Sequence, residues 1–320
     1  MNQIATIVLP FLGLIACGFG AGRTFALPAN GLDKLIVFAK YFALPAWFFI
    51  LVADTPFSDV PDLSFVITTT FATYCAFALA FSFGALINGG NVPEATVKGL
   101  ISSYSNIGYI APALVVVAFG PTAAAPAALI LVFDGALLFA LVPLMMILGG
   151  VESGGASAMA RAILRRIFTH PLVIATLAGL AFSATGLPIP DPIGAVFTVL
   201  SGAAAPVALF AVGLSLAERG NSGFSADVPV LLVGKLVIHP IIVYLLLAWI
   251  GGFDPVWVAT AVLVAALPPA TAVIDFAERY QAEESNARAA VRYGTAASLV
   301  TVTVVLYLLV ADFVPQDFFR

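Results

Sequence analysis

Charge is the scarcest property of this sequence. Asp, Glu, Lys and Arg make up 9% of its 320 residues, where soluble domains carry about 25%. So little charge, spread over the whole length, cannot coat a water-soluble globule. Basic runs and basic–aromatic interleaving are missing, which excludes nucleic acid as a partner. The two histidines and two cysteines show neither metal-ligand spacing nor a disulfide framework. Cys17 and Cys75 lie in separate apolar stretches and read as buried small hydrophobes. HExxH and GxSxG do not occur, and neither Asp134 nor Asp275 stands in a GxGD motif. The sequence therefore reads as a non-enzyme, with no cofactor and no metal.

What is abundant is apolar length. Hydrophobic residues make up 62% of the chain, and a membrane span needs about 20 of them in a row. Ten stretches qualify: 4–22, 32–52, 64–88, 97–119, 122–148, 168–186, 192–217, 228–250, 256–277 and 289–311. The expected fold is an all-α polytopic membrane protein of ten transmembrane helices. Met1-Asn2-Gln3 carries no Lys or Arg and the run behind it is long for a signal peptide, so the first stretch reads as a span. Short connections with Gly, Pro, Asp or Asn separate the stretches and leave no room for a soluble domain.

Lys and Arg near helix ends stay on the cytoplasmic side. Counting between successive stretches, the odd loops hold Arg23, Lys34, Lys98, Arg161, Arg165, Arg166, Arg219, Arg279, Arg288 and Arg292. The even loops hold none; they carry Asp54, Asp59, Asp62, Asp191 and Asp254. The tails contribute only Arg320. Both termini are thus expected outside, as in a multi-pass protein of a prokaryotic inner membrane. The longest loop ends in Ala158–Phe168, where Arg161, Arg165 and Arg166 alternate with apolar residues as in a basic amphipathic surface helix.

That loop divides the chain into a five-helix repeat, 1–150, a cytoplasmic segment, 151–167, and a second repeat, 168–320. Five is odd, so the second repeat lies inverted, a common plan of secondary transporters. Ala43-Leu44-Pro45-Ala46-Trp47-Phe48 in the second stretch parallels Ala205-Pro206-Val207-Ala208-Leu209-Phe210 in the seventh. The fourth contains Pro112 behind the polar run Ser102-Ser103-Tyr104-Ser105-Asn106-Ile107-Gly108-Tyr109, and the ninth contains Pro268-Pro269. Proline removes a backbone donor and clashes with the preceding turn. In lipid, that is tolerated where a neighbour or a cavity satisfies the freed groups. Two breaks at matched midplane positions point to a binding site between broken helices.

On these residues the chain resembles the auxin efflux carrier family, whose bacterial members include malonate transporters. The resemblance runs over essentially the whole length. It is carried by Ser105-Asn106-Ile107-Gly108-Tyr109, Pro206 through Leu216, Lys235-Leu236-Val237-Ile238-His239-Pro240, and Ala266-Leu267-Pro268-Pro269 through Tyr280. It implies two inverted five-helix repeats whose fourth and ninth helices cross at an X-shaped break, and a substrate that is a small organic anion. It also points to a homodimer, for which no interface is legible. Asn106 matches the family's asparagine beside the crossing. Asp275 stands where the plant carriers are usually apolar.

The expected site follows. Ser105 and Asn106 donate to a substrate carboxylate from the fourth helix and Thr271 from the ninth, with Gly108, Tyr109, Pro112, Pro268 and Pro269 lining the break. Positive half-helix N-termini face the anion. Helices 1, 2, 6 and 7 form a scaffold against which the crossing bundle rocks. Ionisable residues within spans are usually functional. Here they are Lys40, Asp134, Lys235, His239 and Asp275, with His170 at a helix start. Each is read as an ion-coupling group or a structural charge: Lys235 or Lys40 pairs with Asp275, and Asp134 pairs with His239 or a lysine, or titrates. Sodium coupling, proton coupling and uniport stay open, as do import and export. A channel is the rival reading, although charged rings and a carbonyl filter are not evident.

Overall fold

The computed structural model describes residues 2–25, 28, 30–54, 63–151, 156–217 and 225–311. Asp59, Asp62, Arg219 and Arg320, used above for orientation, lie outside them. All regular structure among the described residues is helical. In chain order the elements are α1 (Asn2–Thr24), α2 (Gly31–Ala53), α3 (Leu63–Ile87), α4 (Val92–Ser103), α5 (Ala111–Phe119), α6 (Pro121–Leu148) and α7 (Ala156–Phe168). There follow α8 (Pro171–Ser183), α9 (Asp191–Ala217), α10 (Asp227–Ile250), α11 (Pro255–Ala265), α12 (Ala272–Tyr280) and α13 (Glu284–Val310). Each of the ten apolar stretches becomes one helix or, for the fourth and ninth, a pair. Among the described residues, six helices are long and apolar enough to cross a membrane: α2, α3, α6, α9, α10 and α13. Leu9–Thr24, α8 and α11 are shorter apolar helices. The basic segment forms α7, as its periodicity requires.

Local chemistry sets the ends. Asn91 caps α4 by accepting from the Glu94 N–H at 3.3 Å, with Pro93 in the first turn. Asp254 caps α11 by accepting from the Val256 N–H at 2.8 Å. Within α2 and α10 the backbone opens into a π turn, at Ala39–Ala43 and Gly234–Ile238, each ending two residues before a proline, Pro45 and Pro240. Proline cannot donate to the carbonyl four residues back and its ring collides with it; the wider turn relieves both. The two sites share a pattern, with Lys five residues before Pro (Lys40 and Pro45, Lys235 and Pro240).

The chain packs as two compact units. The first comprises α1, α2, α5, α8, α9 and the start of α6. It holds the helices expected as a scaffold, together with 107–132. Its tightest contact is between α1 and α9: a Cβ on Gly18 would meet the Phe210 carbonyl oxygen at 2.1 Å, and one on Gly213 the Ile15 carbonyl oxygen at 2.1 Å. Paired glycines let two apolar helices approach where no hydrophobic effect drives them together. Cys17, on α1, is exposed and Cys75, on α3, half-buried. This corrects their reading as buried hydrophobes. An apolar thiol can face lipid as readily as a protein core.

The second unit comprises α3, α4, the rest of α6, α7 and α10–α13. A core of Phe77, Val97, Leu100, Ile101, Leu138, Met146, Leu231, Val273 and Phe276 joins α3, α4, α6, α10 and α12. Gly99 on α4 makes room for the Phe77 ring of α3, whose nearest atom is 2.6 Å from where a Cβ would stand.

Candidate functional site

The site begins with two helices that stop. α4 ends at Ser103 and α11 at Ala265, leaving carbonyls without helical partners. The two loose ends answer each other. The Asn106 N–H donates to the Pro268 carbonyl at 2.9 Å, and the Ala270 N–H donates to the Tyr104 carbonyl at 3.0 Å. Ser105 and Pro269 thus form an antiparallel pair of the kind that exchanges no hydrogen bond itself. Proline fits there because the N–H it lacks would point away from the partner. The prolines that break the ninth stretch are thereby compensated within the same unit, as burial demands.

Gly294 on α13 makes room for the pair. A Cβ there would stand 2.7 Å from Cδ of Pro269 and 2.8 Å from Cδ2 of Leu232. Leu232 can turn aside, but a proline ring cannot. Gly294→Val should therefore push the Ser105–Pro269 pair out of register. Transport is expected to fall by about tenfold or more, the effect of a barrier raised by about 1.4 kcal/mol. Initial uptake rates at matched surface expression would show it.

Beneath the pair lies a buried polar network. Lys235 on α10 is fully buried. Its ammonium has three hydrogens and meets three acceptors: Ser105 Oγ at 2.8 Å, His239 Nδ1 at 3.0 Å, and the Ala265 carbonyl oxygen at the end of α11. A cation at a helix C-terminus is the favourable sign for the helix dipole. His239 Nε2 lies 3.4 Å from Thr73 Oγ1 on α3, and Thr73 Oγ1 lies 3.2 Å from Asp134 Oδ2 on α6. Asp134, His239 and Thr73 are all buried. The network thus ties α3, α6 and α10 to the broken ends of α4 and α11.

The expected residues fall as follows. Ser105 and Asn106 are buried beside Pro268 and Pro269, which the pairing brings together. Ser105 Oγ accepts from Lys235 and keeps its own hydroxyl hydrogen to donate. Thr271 is exposed at the start of α12. In the first unit, Gly108 and Tyr109 are half-buried, Gly108 against Leu172, and Pro112 is buried in the first turn of α5. Lys40, also in the first unit, lies over the Tyr41 ring at 5.7 Å. Lys235 finds its partners in Ser105, His239 and Ala265, while Asp275 is on the exposed face of α12. Asp134 reaches His239 through Thr73 and not directly.

Two features went unread in the sequence. Thr73 sits among several threonines of an apolar helix, and nothing local marks it. By sequence Lys98 reads as a loop cation. It lies two turns inside α4, 1% exposed, where it meets Asp227 at the start of α10, Glu283 at 3.2 Å and Asn88 Oδ1 at 3.0 Å. Asn88 in turn donates to Glu94 at 2.6 Å and Glu283 at 3.2 Å. The clustering of Glu94, Asp227 and Glu283 at helix starts was the available signal.

Comparison with known proteins supplies an independent line. A family model described as membrane transport protein matches residues 3–306. A protein of Rhizobium meliloti (strain 1021) named "Putative malonate transporter" is 40% identical over 319 residues, spanning 100% of both chains.

Proposed function

Because this chain belongs to the membrane transport protein family, that of the auxin efflux carriers, and is thus a transporter and not an enzyme, we propose that it carries a small carboxylate, malonate in first place, by alternating access. The observation that carries the reading is the paired break, Tyr104–Asn106 against Pro268–Ala270, with the Lys235 ammonium held on Ser105. A carboxylate there meets hydroxyl and amide donors from Ser105 and Asn106, a buried positive charge one bond behind them, and the N-terminal end of α12 with Thr271. The family resemblance and the relative's name support the choice of malonate. The same reading takes the ten stretches as spans in two inverted repeats, 1–150 and 168–320, with both termini outside and the Arg-bearing loops in the cytoplasm.

The test is ligand stabilisation of the purified protein together with uptake into vesicles. A ligand at 100 times its Kd stabilises the folded state by about 2.7 kcal/mol. Malonate is expected to raise the melting temperature and to enter vesicles saturably. Asn106→Ala should keep the fold and lose both effects. Full uptake by that variant would remove Asn106 from the site.

A further inference from the structure

We propose that Asp134 is a proton-binding site, joined by a relay through Thr73 and His239 to Lys235, and that this makes carboxylate transport proton-coupled. The proposal rests on the carboxylate site proposed above and adds the coupling ion.

The direction of the hydrogen bonds is the first argument. The three hydrogens of the Lys235 ammonium go to Ser105 Oγ, His239 Nδ1 and the Ala265 carbonyl. His239 Nδ1 accepts, so in the neutral ring the hydrogen is on Nε2. Nε2 faces Thr73 Oγ1 and donates to it, and the one Thr73 hydroxyl hydrogen has two acceptors at 3.2 Å, Asp134 Oδ2 and the Thr69 carbonyl oxygen of its own helix. With the Thr73 hydroxyl turned to Asp134, every donor from Lys235 to Asp134 points the same way. The lysine and the carboxylate are at opposite ends of one chain of hydrogen bonds, with two neutral side chains between them.

The second argument is an orphaned atom. Asp134 is 2% exposed, and its Oδ1 is buried with no hydrogen-bond partner among the described residues. A buried ionised oxygen left in that state is costly. A proton taken from hydronium, which is left as water, forms an O–H bond at Oδ1 and cancels the carboxylate charge. No bond inside the relay needs to break. A second bound cation in place of the proton is disfavoured by the Lys235 charge already there.

Neutralising one end of the relay changes the other. While Asp134 is ionised it offsets Lys235, and an anion at Ser105 and Asn106 meets a cluster of no net charge. Once Asp134 is protonated, the Lys235 charge is uncompensated and attracts the carboxylate. Proton and anion therefore favour each other, and linkage makes the effect mutual and equal. Tyr74 and Tyr104 also lie within electrostatic reach of Asp134, from α3 and from the end of α4. Tyrosine ordinarily ionises near about pH 10 and carries no charge in the working range.

The experiment is calorimetric titration of the full chain with malonate in two buffers of different ionisation enthalpy, between about pH 7 and about pH 8.5, well above the ordinary carboxyl range. The wild type should take up protons on binding, and its affinity should fall as pH rises, by at most about tenfold per pH unit for one proton. Asp134→Asn should take up none and bind independently of pH. Equal proton uptake by the two proteins overturns the proposal. Should Asp134→Asn fail to fold, Thr73→Val keeps both charges and removes the hydrogen bond that favours the ionised carboxylate. Its pH midpoint should move to higher pH, and an unmoved midpoint overturns the relay. Malonate binding without proton uptake by the wild type overturns this inference alone. An absence of malonate binding overturns the carboxylate site and this inference with it.

Discussion

Replacing Lys235 with methionine is expected to abolish transport and to lower stability by about 3 kcal/mol or more, because it leaves three buried acceptors unmet at about 1–3 kcal/mol each. Methionine fills similar volume, so packing is not the cause. Three acceptors lose their donor at once: Ser105 Oγ, His239 Nδ1 and the Ala265 carbonyl. Each is buried, where an unmet acceptor is penalised by its full desolvation. Asp134 also loses the opposite charge of Lys235, which acts on it electrostatically. Lys235→Arg should not rescue transport. A guanidinium spreads its hydrogens in a flat fork, whereas the three acceptors surround a compact ammonium. Thermal unfolding in detergent separates the effects: Asn106→Ala should melt near the wild type and Lys235→Met well below it. Wild-type uptake by Lys235→Met would remove the network from the mechanism.

A second large effect is expected at Lys98. Its ammonium joins the start of α10, through Asp227, to the start of α13, through Glu283, from inside α4. Lys98 is 1% exposed, while Asp227 and Glu283 are 24% and 11% exposed. Lys98→Met leaves two carboxylates facing each other and Asn88 Oδ1 without its donor. The expected loss is about 3 kcal/mol, at the low end for buried pairs because Asp227 keeps some solvent. Adding Asp227→Asn to Lys98→Met should recover part of it, since the repulsion is then relieved. Melting temperatures of the two single variants and the double variant give the coupling. A Lys98→Met protein as stable as the wild type would reduce the cluster to a surface ornament.

The elements of this fold were legible because their cause is local. A run of some 20 apolar residues makes a helix wherever it lies in lipid, and a proline ends or opens one from its own position. Hence the ten stretches, the interruptions before Pro112 and at Pro268-Pro269, and the amphipathic α7 could be read residue by residue. Membership of a transport family was legible for the same reason, since its motifs are short strings such as Ser105 to Tyr109 and Lys235 to Pro240. The site was only half legible. Asn106 and the prolines announce a break, but that Tyr104–Asn106 satisfies Pro268–Ala270 depends on residues more than a hundred positions apart meeting at hydrogen-bonding distance.

The charges show the limit most clearly. Sequence alone determined that Asp134, Lys235 and His239 are within apolar helices and need partners, because ionisable groups there are too costly to leave alone. It did not determine which partners. Lys98 passed for a loop residue because charge by itself suggests water, and only the packing of α4 against α10 and α13 shows it enclosed by acids. Thr73 carries no charge and looks like its neighbours Thr68, Thr69 and Thr70. Tertiary structure alone turns its hydroxyl between Asp134 and His239, because hydrogen bonds act over about 3 Å and no pattern along one helix encodes what stands opposite it on another.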